Sequence, residues 1–377
     1  MKFYATTSPG LEEISARELN RFGCNILEVR EGRGRVFFEC DKGMIPTLNY
    51  LSRTIERVVL LLYRGKTESL EEIYSIVKKM DFTYWIKPHQ SFAIRPLRVG
   101  KHNFTSLDIA RVSGQALIES YLDSKGVRLK VNLTEPEIIV RVEVIFDEIL
   151  VGLDLTGDEA LHKRGYRVYQ HPAPLNPSIA ASLVLLSEWN KKESFLDPMC
   201  GSGTILIEAA LMGRNIPPGK FRRTKYAFTQ IFGENELEEL QKRVKEKKNE
   251  LKLFGVEKFK KHIVGAVKNA KEAEVDDTIH FLKGDATKLD KIFTQTFDKV
   301  ITNPPYGLRI GKKKAILELY YNFLKSVKKV LHSKSKIVVI TSEYEEFKSL
   351  AEKLYEIEKE ICIKYGNLKA RIFKLTI

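Results

Sequence analysis

The sequence predicts an α/β protein in which a C-terminal domain built on a parallel sheet follows an N-terminal half of α+β character. Three observations carry this reading. Beyond about residue 190, short apolar strand patterns alternate with helical ones, as crossover connections between parallel strands require. Before residue 165 the order is less regular, with strand patterns joined by short turns. Between the halves, His171-Pro172-Ala173-Pro174-Leu175-Asn176-Pro177 crowds three prolines together, which disfavours continuous helix and reads as a linker.

The first unit, 1–60, opens with a strand over 2–7, a helix over 10–22, strands over 26–30 and 34–40, and a second helix. Leu11, Ile14 and Leu19 give the first helix an apolar face, and Glu12, Glu13, Arg17 and Glu18 its polar one. The second unit, 61–165, carries strands over 91–97, 127–133 and 137–146 and a helix over 106–122, with Ile109, Val112, Ala116, Leu117 and Leu122 at helical spacing. Thr134-Glu135-Pro136 is expected to join the last two strands as a hairpin. A linker with its following helix occupies 166–190, and the final domain occupies 191–377. That domain is expected to hold strands over 194–196, 251–256, 279–283, 299–302 and 336–341, and an edge hairpin pairing 361–365 with 369–375. The charged stretch 213–249 reads as an insertion after the domain's first strand and helix.

At 377 residues with 43% hydrophobic content, the chain has enough apolar material for more than one packed core. A formal net charge of +14 points to a polyanionic partner, since Lys and Arg gain most where they release counterions from phosphates. No apolar run is long enough to span a bilayer, and the N-terminus lacks a secretory signal, so a cytoplasmic protein without membrane contact is expected. Cys24, Cys40, Cys200 and Cys362 are scattered without a C-x-x-C pair and read as reduced residues. His162 and His171 show no metal-ligand spacing, and no metal is expected.

Asp197-Pro198-Met199-Cys200-Gly201-Ser202-Gly203-Thr204 lies at the first strand-to-helix turn of the parallel sheet, where such sheets bind ligands. Gly201 and Gly203 permit an approach that a β-carbon would obstruct. Phosphate-binding alternatives fail: Leu60 stands where a P-loop ending in Gly65-Lys66-Thr67 needs glycine, and Leu206 replaces the third glycine of a dinucleotide fingerprint. A nucleoside without phosphate fits better, and S-adenosylmethionine is the expected cofactor. Glu257 is placed to accept both ribose hydroxyls and Asp285, followed by Ala286, to receive the adenine amino group.

Asn303-Pro304-Pro305-Tyr306-Gly307 follows a later strand and suits a planar amine. The Asn303 side-chain oxygen and the Pro304 carbonyl accept N–H groups, orienting a delocalised nitrogen lone pair and stabilising charge developing there. Successive prolines hold those carbonyls still, and Tyr306 offers a stacking face. A base inside a duplex cannot reach such a pocket, so an extruded or unpaired target is expected.

With these residues in view, the chain resembles the THUMP-domain RNA methyltransferases, and most closely the tRNA guanine-N2 methyltransferases acting at position 6 of the acceptor stem. The likeness rests on residues 197–204, Gly255-Val256-Glu257, Asn269-Ala270, Gly284-Asp285-Ala286 and 303–307, and on Leu161-His162-Lys163-Arg164-Gly165-Tyr166-Arg167 ahead of Ala173-Pro174-Leu175. It implies a ferredoxin-like domain, a THUMP RNA-binding domain and a Rossmann-fold class I methyltransferase domain, with tRNA as partner; the residues themselves call for no protein partner. The resemblance also implies N2-methylguanosine as product. Asn303 favours the position-6 group over relatives that modify position 10, which tend to carry Asp there. Glu274 stands where that family commonly has glycine, a departure expected to affect only a helix end.

Other readings are a guanine-N2 methyltransferase acting at tRNA position 10 or on ribosomal RNA, a DNA adenine-N6 or cytosine-N4 methyltransferase, and an RNA-binding protein whose methyltransferase domain is inert. Arg95, Arg98, Lys101 and Lys163 are the candidate phosphate contacts, with Lys312-Lys313-Lys314 just past the base motif.

Overall fold

The computed structural model describes residues 1–305, 313–365 and 368–377, and its strands form two sheets. In the first, side chains alternate between two faces with the period of two that a pleated strand imposes. Along β1 (Lys2–Thr6), Phe3 and Ala5 enter the main N-terminal core, while Tyr4 packs with Phe37 and Val59 on the opposite face. Beside β1 lie β3 (Arg35–Glu39), with β2 (Asn25–Arg30) beyond it, and on the other side β4 (Arg57–Lys66).

The long strand β4 also pairs antiparallel with β8 (Glu148–Asp154), so the first two units share one continuous sheet of eight strands. It continues through β7 (Ile138–Ile145) and β5 (Ser91–Val99) to the short edge strand β6 (Lys130–Val131). Helices α1 (Glu12–Arg21) and α2 (Ile45–Leu51) belong to the first unit, and α3 (Leu70–Lys78) and α4 (Ser106–Lys125) to the second. A capping box between Thr105 and Asp108 starts α4, and Gly126 ends it at φ +67°, a left-handed position glycine adopts without a β-carbon clash.

The expected hairpin between 127–133 and 137–146 is a correction. β6 covers only two residues, and β6 and β7 both run parallel to β5, one on each side of it. The Asn132 side chain accepts from Thr134 and Glu135 N–H groups, closing a local turn that steers the chain away from β6 instead of back along it. The true hairpin partner of β7 is β8. Strands β4 and β8 and helix α3 were not among the expected elements, and Leu122, assigned to the apolar face of α4, is exposed.

The second sheet has the order β11-β10-β9-β12-β13-β15-β14. Its parallel part comprises β9 (Phe195–Asp197), β10 (Leu253–Glu257), β11 (Ile279–Lys283), β12 (Phe297–Thr302) and β13 (Leu331–Thr341). The antiparallel pair β14 (Glu356–Tyr365) and β15 (Leu368–Thr376) closes one edge, as the sequence leads one to expect. Crossovers are α6 (Thr204–Gly213), α9 (Lys260–Glu272), α10 (Lys313–Lys328) and α11 (Tyr344–Ala351), and α5 (Pro177–Leu186), capped by Asn176, leads the chain in.

The 213–249 segment forms short helices, including α7 (Thr229–Phe232) and α8 (Asn235–Arg243). It joins the two halves: Tyr226, Phe228 and Leu240 pack into the N-terminal core, and Phe228 N–H donates to the Leu155 carbonyl at 3.0 Å. Glu274, just past α9, has φ +57°, which explains why glycine suits that position. Its consequences go beyond the helix end, because its carbonyl accepts from Arg214 and its carboxylate pairs with Lys220 in the inserted segment.

Linker and C-terminal domain are locked by a buried polar group. Glu208 of α6 is fully buried and accepts from Tyr166 Oη at 2.8 Å and Arg164 Nε at 3.4 Å, while Arg164 Nη2 donates to the Arg53 carbonyl at 2.8 Å. Burial, then the charge of Glu208, push the Tyr166 hydroxyl well above its ordinary pKa, so it stays a donor. Glu208→Ala leaves a buried guanidinium without its counter-charge and is expected to lower unfolding free energy by roughly 3–5 kcal/mol in urea titration. Tyr166→Phe, which removes one neutral donor, is expected to cost about 1–2 kcal/mol.

Candidate active site at the carboxyl edge of the second sheet

Each motif lies immediately after the carboxyl end of a parallel strand, the position where open α/β sheets bind ligands. β9 ends at Asp197, and the loop after it turns through two left-handed glycines, Gly201 at φ +52° and Gly203 at φ +79°, before α6 begins. Cys200 N–H donates to the Val256 carbonyl at 3.0 Å, anchoring this loop to β10. A β-carbon on Gly203 would stand 3.1 Å from Phe281 and 3.2 Å from Ala266, so close packing as well as backbone conformation requires glycine there.

Asp197 is almost fully buried and accepts from Thr302 Oγ1 at 2.8 Å and Met199 N–H at 3.2 Å. Burial pushes its carboxyl up to about 7; the Glu257 charge adds to this, and the two hydrogen bonds oppose it. Glu257 ends β10, its oxygens accepting from Gly201 N–H at 3.2 Å and Phe259 N–H at 2.8 Å. Each oxygen keeps a second lone pair for a hydroxyl donor. Asp285 follows β11 and accepts from Thr287 N–H and Oγ1, with Lys258 Nζ at 3.3 Å. Burial works to raise its pKa, but these partners outweigh it and hold the carboxyl below the usual range.

Beyond β12 come Asn303, Pro304 and Pro305, and the Pro305 carbonyl accepts from Tyr320 Oη at 3.3 Å. Tyr320, buried on α10, also bonds Thr341 Oγ1 at 2.8 Å, so the proline turn is tied to the end of β13.

One cavity of about 480 Å³ unites these residues. Asp197, Pro198, Met199, Cys200, Gly201, Glu257, Asp285, Ala286, Asn303 and Pro304 all line it. Gly203 does not; it shapes the loop from behind. Tyr306 lies outside the described residues, as does Lys312, and the Lys313 and Lys314 side chains are not described. The volume lies in the range of nucleoside-sized sites, roughly 300–1,000 Å³. Among the described residues three carboxylates line it against one lysine, Lys258, which pairs with Asp285; this balance suits a cationic, hydroxyl-bearing ligand better than a phosphate, which fits S-adenosylmethionine.

Sequence reasoning missed the opposite wall. His171, Ala173 and Leu175 of the linker, Phe259 at the start of α9 and His262 in its first turn also line the cavity. The His171 and His262 rings meet edge-on with centroids 4.3 Å apart, Tyr169 Oη bonds His262 Nδ1 at 2.8 Å, and Ala173 N–H donates to His171 Nδ1 at 3.1 Å. Burial, followed by the His171 charge, lowers the His262 pKa and favours its neutral form. In the sequence the linker was marked by its proline-rich texture and by Ala173-Pro174-Leu175 in the family likeness, and neither reveals what the stretch covers.

The four basic candidates are not gathered at this cavity. Arg95 is engaged by Asp158 through Nε and Nη2 at 2.8 and 2.7 Å, Arg98 is exposed near the Gly100 carbonyl, and Lys101 and Lys163 are exposed. Among the described residues no group of His, Cys, Asp and Glu has the arrangement of a metal site, and no helix is long and apolar enough to cross a membrane.

Comparison with known proteins agrees with this architecture. A ferredoxin-like domain profile matches residues 2–59, a THUMP domain profile 67–154, and an RMKL-like methyltransferase domain profile 164–369. The tRNA (guanine(6)-N2)-methyltransferase of Methanocaldococcus jannaschii is 54% identical over 382 residues, covering 100% of both chains. The protein of the same name from Archaeoglobus fulgidus is 48% identical over 380 residues, covering 100% of this chain and 92% of the relative. Among solved structures, a possible methylase from Clostridium difficile 630 superimposes with a TM-score of 0.88 at 27% identity, covering 100% of this chain and 97% of the other. A THUMP-bearing N-terminal half, a methyltransferase domain with both motifs at one cavity, and full-length identity above one half together place this chain in the THUMP-domain tRNA (guanine(6)-N2)-methyltransferase family.

Proposed function

We propose that this protein methylates N2 of guanine at position 6 of the tRNA acceptor stem, using S-adenosylmethionine, in the cytoplasm and without a protein partner. The observation that carries the proposal is the meeting of the glycine loop and the Asn303-Pro304 edge in one cavity. Bound there, S-adenosylmethionine supplies an electrophilic methyl group that needs no further activation. Glu257 accepts the ribose hydroxyls, and Asp285 beside Ala286 receives the adenine amino group. Asn303 and Pro304 accept N–H hydrogen bonds from the guanine amine, directing its lone pair into the cavity. Tyr320 keeps the proline turn from yielding as the amine presses on it. Guanine 6 is presented outside its helical stack. Arg95, Arg98, Lys101 and Lys163 are proposed to contact phosphates of the same tRNA, with the N-terminal half setting the reach to the cavity.

Mapping the methylated nucleotide in an unmodified tRNA transcript tests the assignment. N2-methylguanosine at position 6 is the expected outcome, and methylation at position 10, or of duplex DNA in its place, overturns it. Asn303→Ala is expected to lower kcat by about 10²–10³-fold, the effect typical of losing one preorganised polar group. S-adenosylhomocysteine affinity stays within about threefold in that variant, because chemistry and not cofactor binding is affected.

A pH dependence follows from Asp197. Below about 7 its carboxyl in the free protein is protonated, and a ligand whose ammonium group pairs with it, as both S-adenosylmethionine and S-adenosylhomocysteine offer, must displace that proton to gain the negative charge. Affinity for S-adenosylhomocysteine, read by calorimetry, is expected to be constant above about pH 8 and to fall by up to about tenfold per unit below 7. Asp197→Asn is expected to bind more weakly and to lose this dependence.

A further inference from the structure

Cys24 and Cys40 stand 16 positions apart in sequence, yet the fold brings them together. β2 and β3 run antiparallel with Asn25 opposite Glu39, so one step further along the ladder Cys24 faces Cys40. Both side chains are buried and their sulfurs lie 3.1 Å apart, only about 1 Å beyond the roughly 2.05 Å of a covalent disulfide. Their backbones are pinned. Cys24 N–H donates to the Leu19 carbonyl at 3.1 Å behind Gly23, whose φ is +85°. Cys40 N–H donates to the Met1 carbonyl at 3.1 Å, and its carbonyl accepts from the Met1 α-amino group at 2.8 Å. Closure of the last ångström therefore needs side-chain rotation and no new backbone path.

We propose that Cys24 and Cys40 are a covalent cross-linking site, forming a disulfide by exchange with a low-molecular-weight disulfide. The less buried Cys40 reacts first: its thiolate attacks one sulfur of the small disulfide and expels one small thiolate. Cys24, its proton passed to solvent, then attacks the Cys40 sulfur and expels the second. Two protons and two electrons leave the protein, and one small disulfide becomes two small thiols. Burial, with the hydrogen bond and charge of Cys40, raises the Cys24 thiol well above its ordinary pKa, so exchange is slow in the folded protein and fastest while the hairpin closes. The bond ties the β2–β3 hairpin to the end of α1 and to the chain's first residue. Cys200, buried on the cofactor loop, and Cys362, exposed on β14, take no part.

The full chain is incubated with oxidised glutathione, both folded and during refolding from guanidinium, then unfolded in an alkylating agent and digested with trypsin. Expected are protection of two of the four cysteines and a linked pair of peptides, 22–30 with 36–42. Tm is expected to rise by roughly 2–6 °C over the reduced form and to return on reduction. In Cys24→Ser and Cys40→Ser the oxidised-minus-reduced Tm difference vanishes, a comparison made within each variant and so independent of any loss of packing. Absence of the linked peptides under both regimes, linkage through Cys200 or Cys362, or a cross-linked form that melts below the reduced one overturns the proposal.

Discussion

Thr302 donates to Asp197 at 2.8 Å, and this hydrogen bond joins the two halves of the chemistry. Asp197 ends β9 and opens the glycine loop; Thr302 ends β12 and immediately precedes Asn303. β9 and β12 are neighbours in the sheet although more than a hundred residues separate them, so strand order and not sequence sets the distance between cofactor loop and base edge. Both partners are fully or almost fully buried, and a bond between buried groups in a region of low dielectric is strong and costly to leave unmade. It also opposes the burial that raises the Asp197 pKa, so the contact that aligns the site helps decide how much negative charge stands ready in it.

A fixed active site serves a large substrate only if the substrate-holding part of the molecule keeps its place. Three contacts do this with different chemistry. The inserted segment contributes Tyr226, Phe228 and Leu240 to the N-terminal core, an apolar contact that is strong without being directional. Glu208 with Tyr166 and Arg164 is directional, and it acts on α6, the helix the glycine loop leads into. Glu56, from the first sheet's β3–β4 connection, accepts from Asn176 Nδ2 at 3.1 Å, at the cap of α5. The apolar contact holds the halves together and the polar ones set their angle.

Where local chemistry alone decides conformation, the sequence was legible. The left-handed glycines, the strand-end carboxylates and the proline turn carry their reasons in the residues themselves, and ten of the anticipated site residues line a single cavity. The shared strand β4 was not readable, because its membership in two units depends on partners at 3–6 and 148–154, far off in sequence. The expected hairpin failed for a related reason: Thr134-Glu135-Pro136 is a sound turn, but β5 competes for both flanking strands and wins each as a parallel partner. Tyr320 gave no sign of its role, since a tyrosine on the buried face of an amphipathic helix looks the same whether or not its hydroxyl has a task. The Cys24 and Cys40 pairing was likewise hidden by a spacing that means nothing until β2 and β3 are in register.

The linker shows why the remaining part of the site could not be read from motifs. Its residues form no helix or strand between β8 and α5, yet they touch both helices that flank the cofactor loop. Arg164 and Tyr166 bind Glu208 of α6, and Tyr169 N–H donates to Asn269 of α9 at 2.8 Å. Asn269 in turn donates to the Ser202 carbonyl within the glycine loop, so linker, helix and loop form one hydrogen-bonded series. His171 then lies across Gly201, its ring atoms 3.6–3.8 Å from where a β-carbon would stand, an ordinary packing distance, so it is the turn at φ +52° and not the ring that calls for glycine. A segment that connects two domains thus also completes the cavity of one of them, and the cavity's shape depends on a path fixed at the other end by the N-terminal half.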